Sequence, residues 1–462
     1  MVERRDDTDG EQAPEVRVVR RRRFGGTAKV VLVALLGLLV LALVAVWLAR
    51  RPIADSFIQN ELERKGVTAT YTLDRIGLHN QRISNLVLGD PKNPDLVARA
   101  ALIQMRIRWN GSVEVYRIVA RGVRLHGTLL KSGRVSWGQI DKLLPPPSGK
   151  PFRLPEIVLD IADARVRLDT PYGRLGFAII GRGNLTGGFK GRLALSGPHL
   201  DVGACSLDAL HGNVALAVVA RRPNVAGPVT ASALNCPASR MAMVSPRLDR
   251  KSSFSEAFES FDGKGKLAVA SFSAGDNGLA NLVANIGFKG TPTDAKGRFD
   301  LAAQRARLAA IYADRTRLKG AYRLQSDKGT LAVVADYGAD SASLAAPMIA
   351  SLTGPLDSAS GTPLGPIAKA IAAAIRRTAG NFDATGRLSL VNFRGGGGVR
   401  IETADARGPN GARVQVAGRD GVNYYWPSGR IRIDSDISMG GGGLPRAEIS
   451  LSQPRNGAPM SG

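Results

Sequence analysis

The chain has 462 residues, a formal net charge of +24, 44% hydrophobic residues, only 5% aromatics and 54 glycines. The hydrophobic content excludes a disordered chain, and few aromatics with much glycine suit many short strands and turns better than one thick globular core. The positive excess is spread along the sequence as arginine alternating with apolar residues, with no basic-aromatic cluster, so it reads as a solvated basic face that favours anionic headgroups and not as a nucleic-acid surface.

Residues 1–16 mix both charges without periodicity, and residues 1–29 together form a basic tail. Residues 30–49 carry no charge; at about 1.5 Å per residue a helix of that length spans roughly 30 Å, the hydrocarbon thickness of a bilayer. The run is about twice as long as the apolar region of a signal peptide and lacks a small-residue cleavage site, so it predicts an uncleaved signal anchor. Arg17, Arg20, Arg21, Arg22, Arg23 and Lys29 precede it, and only Arg50 and Arg51 follow closely. The positive-inside rule therefore keeps the N-terminus in the cytoplasm and sends the bulk of the chain across the membrane. Over residues 50–66, Ile53, Phe57, Ile58 and Leu62 recur at helical spacing up to Gly66, predicting a juxtamembrane amphipathic helix that either lies on the bilayer or packs under the first strands.

From residue 67 to 462 the period changes to two. In VRLHGTLLKSGRVSWGQI and IVLDIADARVRLDTPYGRLGF, Val166 and Leu168 face one way and Arg165, Arg167 and Asp169 the other. The same alternation in GRLALSG, GKGKLAVASFS, TRLKGAYRLQS, GRLSLVNFRG and GRIRIDSDISM predicts one long antiparallel meander. PPPSGKP at 145–151 reads as a stiff connection after a single helical turn in WGQIDKLL. PLGPIAKAIAAAIRRTAG predicts a helix that ends at Gly380 and uses Ile367, Ile371 and Ile375 to cover one end of the sheet. An apolar sheet face must be hidden by closing a barrel, by stacking two sheets or by curling into a trough. About 25 strands spaced ~4.8 Å apart would reach on the order of 120 Å, and a trough of that length implies a ligand with apolar chains. Periodicity alone favours β-sandwich domains in series, their apolar faces serving as ordinary core, while the scarcity of Phe, Trp and Tyr shifts the balance toward a trough.

The two cysteines, Cys205 and Cys236, form an even set outside the cytoplasm, which permits a disulfide closing a loop of roughly 30 residues; two buried thiols are the alternative. His79, His126, His199 and His211 are dispersed and read as strand or turn surface residues, with no metal-ligand spacing. There is no phosphate-binding loop and no nucleophile elbow, and Asp160, Asp163 and Asp169 read as solvated or cross-strand paired carboxylates. The sequence calls for no catalytic residue, metal or cofactor.

The juxtamembrane RRPIADSFIQNELERKGV, then ISNLVLGDPKNPDLVARAALIQMRI, then VRLHGTLLKSGRVSWGQIDKLLPPPSGKPFRLPEIVLDIADARVRLDTPYG resembles the YdbH family of AsmA-like proteins, relatives of TamB in Gram-negative bacteria, over residues 27–180. The resemblance implies a mainly β fold: an N-terminal transmembrane helix, then a long curled antiparallel β-sheet, a taco-like groove, with a few short helices. It implies a single-pass inner-membrane protein with its bulk in the periplasm, carrying phospholipids between inner and outer membranes, with phospholipids, the inner membrane and outer-membrane components as partners and no nucleic acid. Val123, Leu125, Val166, Leu168, Leu193 and Leu195 are the candidate groove residues, and IADSFIQNELERKG is where lipid would enter. Family members are longer, and this chain stops in mid-pattern at SLSQPRNGAPMSG, either truncated or continued by a separately encoded part. The competing function is a structural or assembly factor of the cell envelope built of serial β-sandwich domains.

Overall fold

The structure, a computed structural model, describes residues 62–76, 80–109, 113–143, 152–308, 311–363, 365–442 and 444–453. The basic tail, the anchor at 30–49, most of the juxtamembrane helix, the connection at 144–151 and His79 lie outside the described residues. Among the described residues no helix is long and apolar enough to cross a membrane. The described part of the juxtamembrane helix, residues 62–64, ends as its sequence dictates. Gly66 takes φ +63°, its N–H donates to the Glu63 carbonyl, and the Val67 N–H donates to the Leu62 carbonyl, with Leu62 and Val67 both buried. This is the Schellman arrangement, which needs a residue without a Cβ at the left-handed position.

Among the described residues, the rest hangs on one sheet of 24 strands. The head comprises β1 (Ala69–Ile76), β2 (Asn80–Asp90), β3 (Asn93–Ile107), β4 (Val113–Arg121), β5 (Arg124–Leu129), β6 (Val135–Ser136), β7 (Val158–Thr170), β8 (Gly173–Asn184) and β9 (Lys190–Val202). The middle comprises β10 (Cys205–Val219), β11 (Arg222–Thr230), β12 (Ala233–Cys236), β13 (Met241–Val244) and β14 (Arg247–Phe254). The long ladder comprises β15 (Phe261–Ala274), β16 (Asn277–Gly290), β17 (Asp294–Leu308), β18 (Ile311–Gln325), β19 (Thr330–Leu344), β20 (Phe382–Phe393), β21 (Gly396–Arg407), β22 (Arg413–Trp426), β23 (Arg430–Gly441) and β24 (Leu444–Leu451). Two helices, α1 (Ala346–Ser358) and α2 (Gly365–Thr378), are inserted between β19 and β20. One continuous sheet takes the place of the serial sandwiches that periodicity alone allowed.

The sheet differs from a pure antiparallel meander in two ways. First, β4 and β5 both pair in parallel with β7. A parallel pair cannot be joined by a tight hairpin and needs a crossover. Residues 130–157 supply it, and they lay Trp137, Ile140, Leu143, Leu154 and Ile157 over the sheet as buried residues. Second, several strands are broken in two: β11 and β12 lie end to end along β10, and β13 and β14 lie end to end along β15. These share rows, so the sheet has about twenty rows and reaches roughly 90 Å, shorter than the sequence count suggests.

Strict alternation also slips. Asp163, Ala209, Ser245, Asn281, Arg305 and Ser341 have φ between +46° and +54°. At these points two neighbouring residues both face outward, and the apolar spacing becomes three, as in Ile161 and Ala164, Ala303 and Ala306, or Ala339 and Ala342. From Ala209 to Ser341 the sites lie near one level across successive strands, as the pairings Ala306 to Ala313 and Ala313 to Ala342 show. Bulges of this kind bend a strand and increase its twist, and here they keep the same face apolar on both sides of the bend.

The helical insertion corrects one further expectation. α2 exists as predicted, but Ile367 is exposed, while Ala368, Ala372 and Ala374 are buried and Ala374 packs on Ala412 and Val414. Alanines let the helix approach the strand ends closely. Arg376 of α2 holds α1 by bonds to Asp357 and to Thr353 Oγ1.

Candidate functional site: an apolar sheet face

Register and burial assign every strand two faces. In the ladder the row through β17 runs Ala284 to Leu301 and Ile286 to Phe299, then Leu301 to Leu318, Leu318 to Tyr337 and Tyr337 to Gly386, with Leu282 and Ala303 in one buried cluster beside it. It continues through Leu388 to Ile401, Val399 to Tyr424, Val422 to Ile433 and Ile437 to Ile449. The opposite face carries the charge. Asp294 is bound by Arg323 at 2.6 Å, Asp340 by Arg317 at 3.0 Å, and Asp405 by Arg413 at 2.8 Å. This one-sidedness is what period-two patterning encodes, and it places much of the net charge of +24 on the outer face.

Cover over the apolar face changes along the sheet. In the head, the crossover and the helix end close it. Trp137 is 1% exposed, and a Cβ on Gly127 would stand 2.6 Å from its ring. Gln139 Oε1 accepts from the Thr68 N–H, Lys142 Nζ donates to the Gly66 carbonyl, and Asp95 accepts from the Gln139 N–H. Farther on, Phe152, Phe254 and Phe258 pack ring against ring, and Glu256 joins the Leu154 N–H to Arg221. One contiguous core extends from Leu62 to Val225. From β15 onward the buried apolar residues are mainly alanines, and larger ones emerge: Leu324 is 43% exposed, Tyr424 43% and Ile431 61%.

The six candidates Val123, Leu125, Val166, Leu168, Leu193 and Leu195 all lie on this apolar face, in the packed head of it. Leu168 is fully buried, and Leu195 packs against the cluster as a partly buried residue. The open part of the face, on β15–β24, was not singled out residue by residue. The signal was present in runs such as GTLAVVADYG, but without strand register it gives no facing direction.

The carboxylates are held by arginines and, at two places, by histidines. Asp160 accepts from Arg121, and Asp163 from Arg124 and Arg99. Burial pushes the Asp169 carboxyl up, but hydrogen bonds with His126, Arg167 and Arg174 outweigh it and hold the group at about 2. His199 bridges Asp208 and Asp201 in an exposed position, His211 is exposed, and among the described residues no cluster suits a metal ion. Cys205 and Cys236, at facing ends of β10 and β12, have Cα atoms 4.0 Å apart and sulfurs at the bonding distance of 2.04 Å.

The family described as YdbH-like, intermembrane phospholipid transport protein YdbH, matches residues 38–269, from within the apolar N-terminal run into β15. The chain belongs to the YdbH-like family. No curated protein and no solved structure matches it. The family's described role, intermembrane phospholipid transport, makes lipid the cargo. Within this YdbH-like chain, a sheet with one apolar face is the surface that matches such a cargo in chemistry.

Proposed function

We propose that this YdbH-like protein is an inner-membrane-anchored lipid conduit. Residues 30–49 fix it in the membrane with its N-terminus in the cytoplasm, and residues 67–462 form a curled periplasmic groove leading phospholipids toward the outer membrane. The observation that carries the reading is the apolar face continuing across β15–β24 while its aromatic cover ends before β15. Acyl chains lie along that face and headgroups stay in water. Each buried methylene regains about 0.8 kcal/mol, so a lipid leaving the bilayer meets no large desolvation barrier. The face is similar from strand to strand, which favours passage over storage. Residues 53–66 are the entry, and Val123, Leu125, Val166, Leu168, Leu193 and Leu195 support the groove's closed end. In the periplasm Cys205 and Cys236 are oxidised and fasten β10 to β12.

The test uses the full chain in membranes with a photoactivatable phospholipid. Wild type is expected to crosslink through residues 261–451. Leu301→Asp combined with Leu318→Asp, which places two charges side by side in mid-face, is expected to abolish crosslinking beyond β18 while leaving protease resistance of the head unchanged. A wild-type protein that takes up no lipid overturns the reading.

A further inference from the structure

β14 reads Arg247, Leu248, Asp249, Arg250, Lys251, Ser252, Ser253, Phe254. Leu248 pairs with Leu267, a member of the apolar cluster under β15 and β16, and Phe254 packs against the head core. Arg250 stands between them at the same parity, so its side chain lies on the apolar face. Asp249 and Lys251 lie on the other side, where Asp249 already accepts two hydrogen bonds from Arg247, each 2.9 Å. Throughout β14–β20 the other charged side chains are on the outer face, as register and alternation require.

The surroundings of Arg250 are shaped for something larger than itself. Its two cross-strand neighbours are Gly227 and Gly265. Gly227 has φ +138°, and a Cβ there would stand 2.6 Å from the Asn213 carbonyl oxygen, so the position stays empty of side chain. Ile286 follows Gly265 in the row. Arg250 thus has an apolar and glycine floor on both sides, and its Nε is buried with no hydrogen-bond partner. Burial alone pulls its guanidinium down from the ordinary value, no carboxylate offsetting it. A half-buried cation whose Nε has no partner is costly, and a protein that needed only a smooth apolar wall would carry leucine here.

The missing partner has to be an anion that arrives with apolar chains. We propose that Arg250 binds the phosphate of a phospholipid whose acyl chains lie on the flanking rows of Leu248, Leu267, Phe254 and Phe261. This rests on the conduit reading and adds a fixed headgroup station to it, at the junction where the covered head gives way to the open ladder. The guanidinium fork matches two phosphate oxygens, and both of its neighbours in the row lack side chains to obstruct it. The pairing would convert a desolvated charge into a satisfied one, so the station is completed only when lipid is present.

The experiment compares full-length wild type, Arg250→Leu and Arg250→Lys in detergent. The probes are photoactivatable phosphatidylglycerol and diacylglycerol with identical acyl chains, and crosslinks are mapped to residues 223–290. Wild type is expected to prefer the phospholipid. Arg250→Leu is expected to lose that preference by about tenfold, the worth of a charge-assisted hydrogen bond, while diacylglycerol labelling is retained. Arg250→Lys should fall between. Arg250→Leu should unfold at a temperature equal to or above wild type, since it removes a half-buried charge that no carboxylate offsets, so a loss of preference is not a loss of fold. Equal decline for both lipids, or an unchanged ratio, overturns the headgroup role. Protection by millimolar inorganic phosphate without any phospholipid preference would make it a free-phosphate site and also overturns it. Labelling by neither lipid in wild type overturns the conduit reading together with this one.

Discussion

Single side chains on the outer face set how the protein responds to acid. Asp405 is held at about 2 by the hydrogen bond from Arg413, which together with the Arg407 bond outweighs desolvation. Glu114 is held at about 2 by hydrogen bonds from Arg108 and Arg106. Both values lie below the ordinary 3.8 and 4.5. Their contribution to stability is therefore complete above the unfolded values and is lost as pH falls through the folded ones. The urea midpoint is expected to be flat from about pH 7 to 5 and to drop between about 4.5 and 2. Asp405→Asn should lower stability at neutral pH by about 1 kcal/mol, the scale of a well-formed but partly solvated pair, and weaken the acid limb. An acid limb unchanged in the Asn variant would remove Asp405 from this account. The sequence reading of strand carboxylates as solvated or cross-strand paired named Asp160, Asp163 and Asp169 only, although arginine and aspartate also recur around Asp405 in TADARGPNGARV. Arg250 was not legible. In RLDRKSSF the face is marked only by Leu248 and Phe254, so nothing local tells which of Arg247, Asp249, Arg250 and Lys251 turns inward.

At the scale of elements, the structure shows which local signals survive packing. Strand existence followed from alternation almost throughout, and the end of the first helix at Gly66 followed from glycine; α2 ends at Thr378, two residues before Gly380, without a left-handed glycine there. Facing did not follow as simply. Wherever a left-handed residue such as Asn281 or Arg305 interrupts a strand, the apolar spacing of three imitates a helix for one step. The parallel pairing of β7 was likewise hidden, because it depends on a crossover whose residues Trp137, Ile140 and Leu143 look like a short turn until they find the sheet. α1 was missed because APMIASLTGPLDS contains Gly354 and Pro355, and Pro355 falls inside the helix. The Cys205 to Cys236 link tests how the broken row β11–β12 is held. It spans 31 residues, so Cys205→Ser with Cys236→Ser is expected to cost about 3.7 kcal/mol in the loop-entropy account. Reductant should bring wild type to the same urea midpoint. A reductant-insensitive wild type would mean that the thiols do not pair.

Across the whole molecule, the fold poses a solubility problem that the proposed cargo answers. A ribbon of about twenty rows with one apolar face has more to hide than its crossover can cover. In the head the sequence spends Trp137, Phe152, Phe258 and the helix end on that cover; in the ladder it offers alanine, glycine and isoleucine instead. Small residues such as Gly297, Gly320 and Gly386 recur on this face of the ladder, each so close to the neighbouring strand's backbone that a Cβ would stand within about 2 Å of a carbonyl oxygen. A tyrosine ring lies over two of them, Tyr322 over Gly297 and Tyr337 over Gly386, and rows such as Leu301 to Leu318 and Leu388 to Ile401 continue the apolar surface beside them. If the surface is a conduit, lipid contact must be continuous along it and confined to one face. A photoreactive amino acid placed singly at Leu282, Leu301, Leu318, Leu388, Ile401 and Ile433 is expected to capture phospholipid in growing cells at every position. The same amino acid at Arg298, Lys319 and Arg387 on the outer face should capture none. Capture ending at β16 or β17 would instead describe a binding pocket next to the head, with the remaining strands as a spacer. Capture that is uniform to β23 is the outcome that only an open, one-sided apolar path explains, because a closed sandwich would bury those same positions against protein.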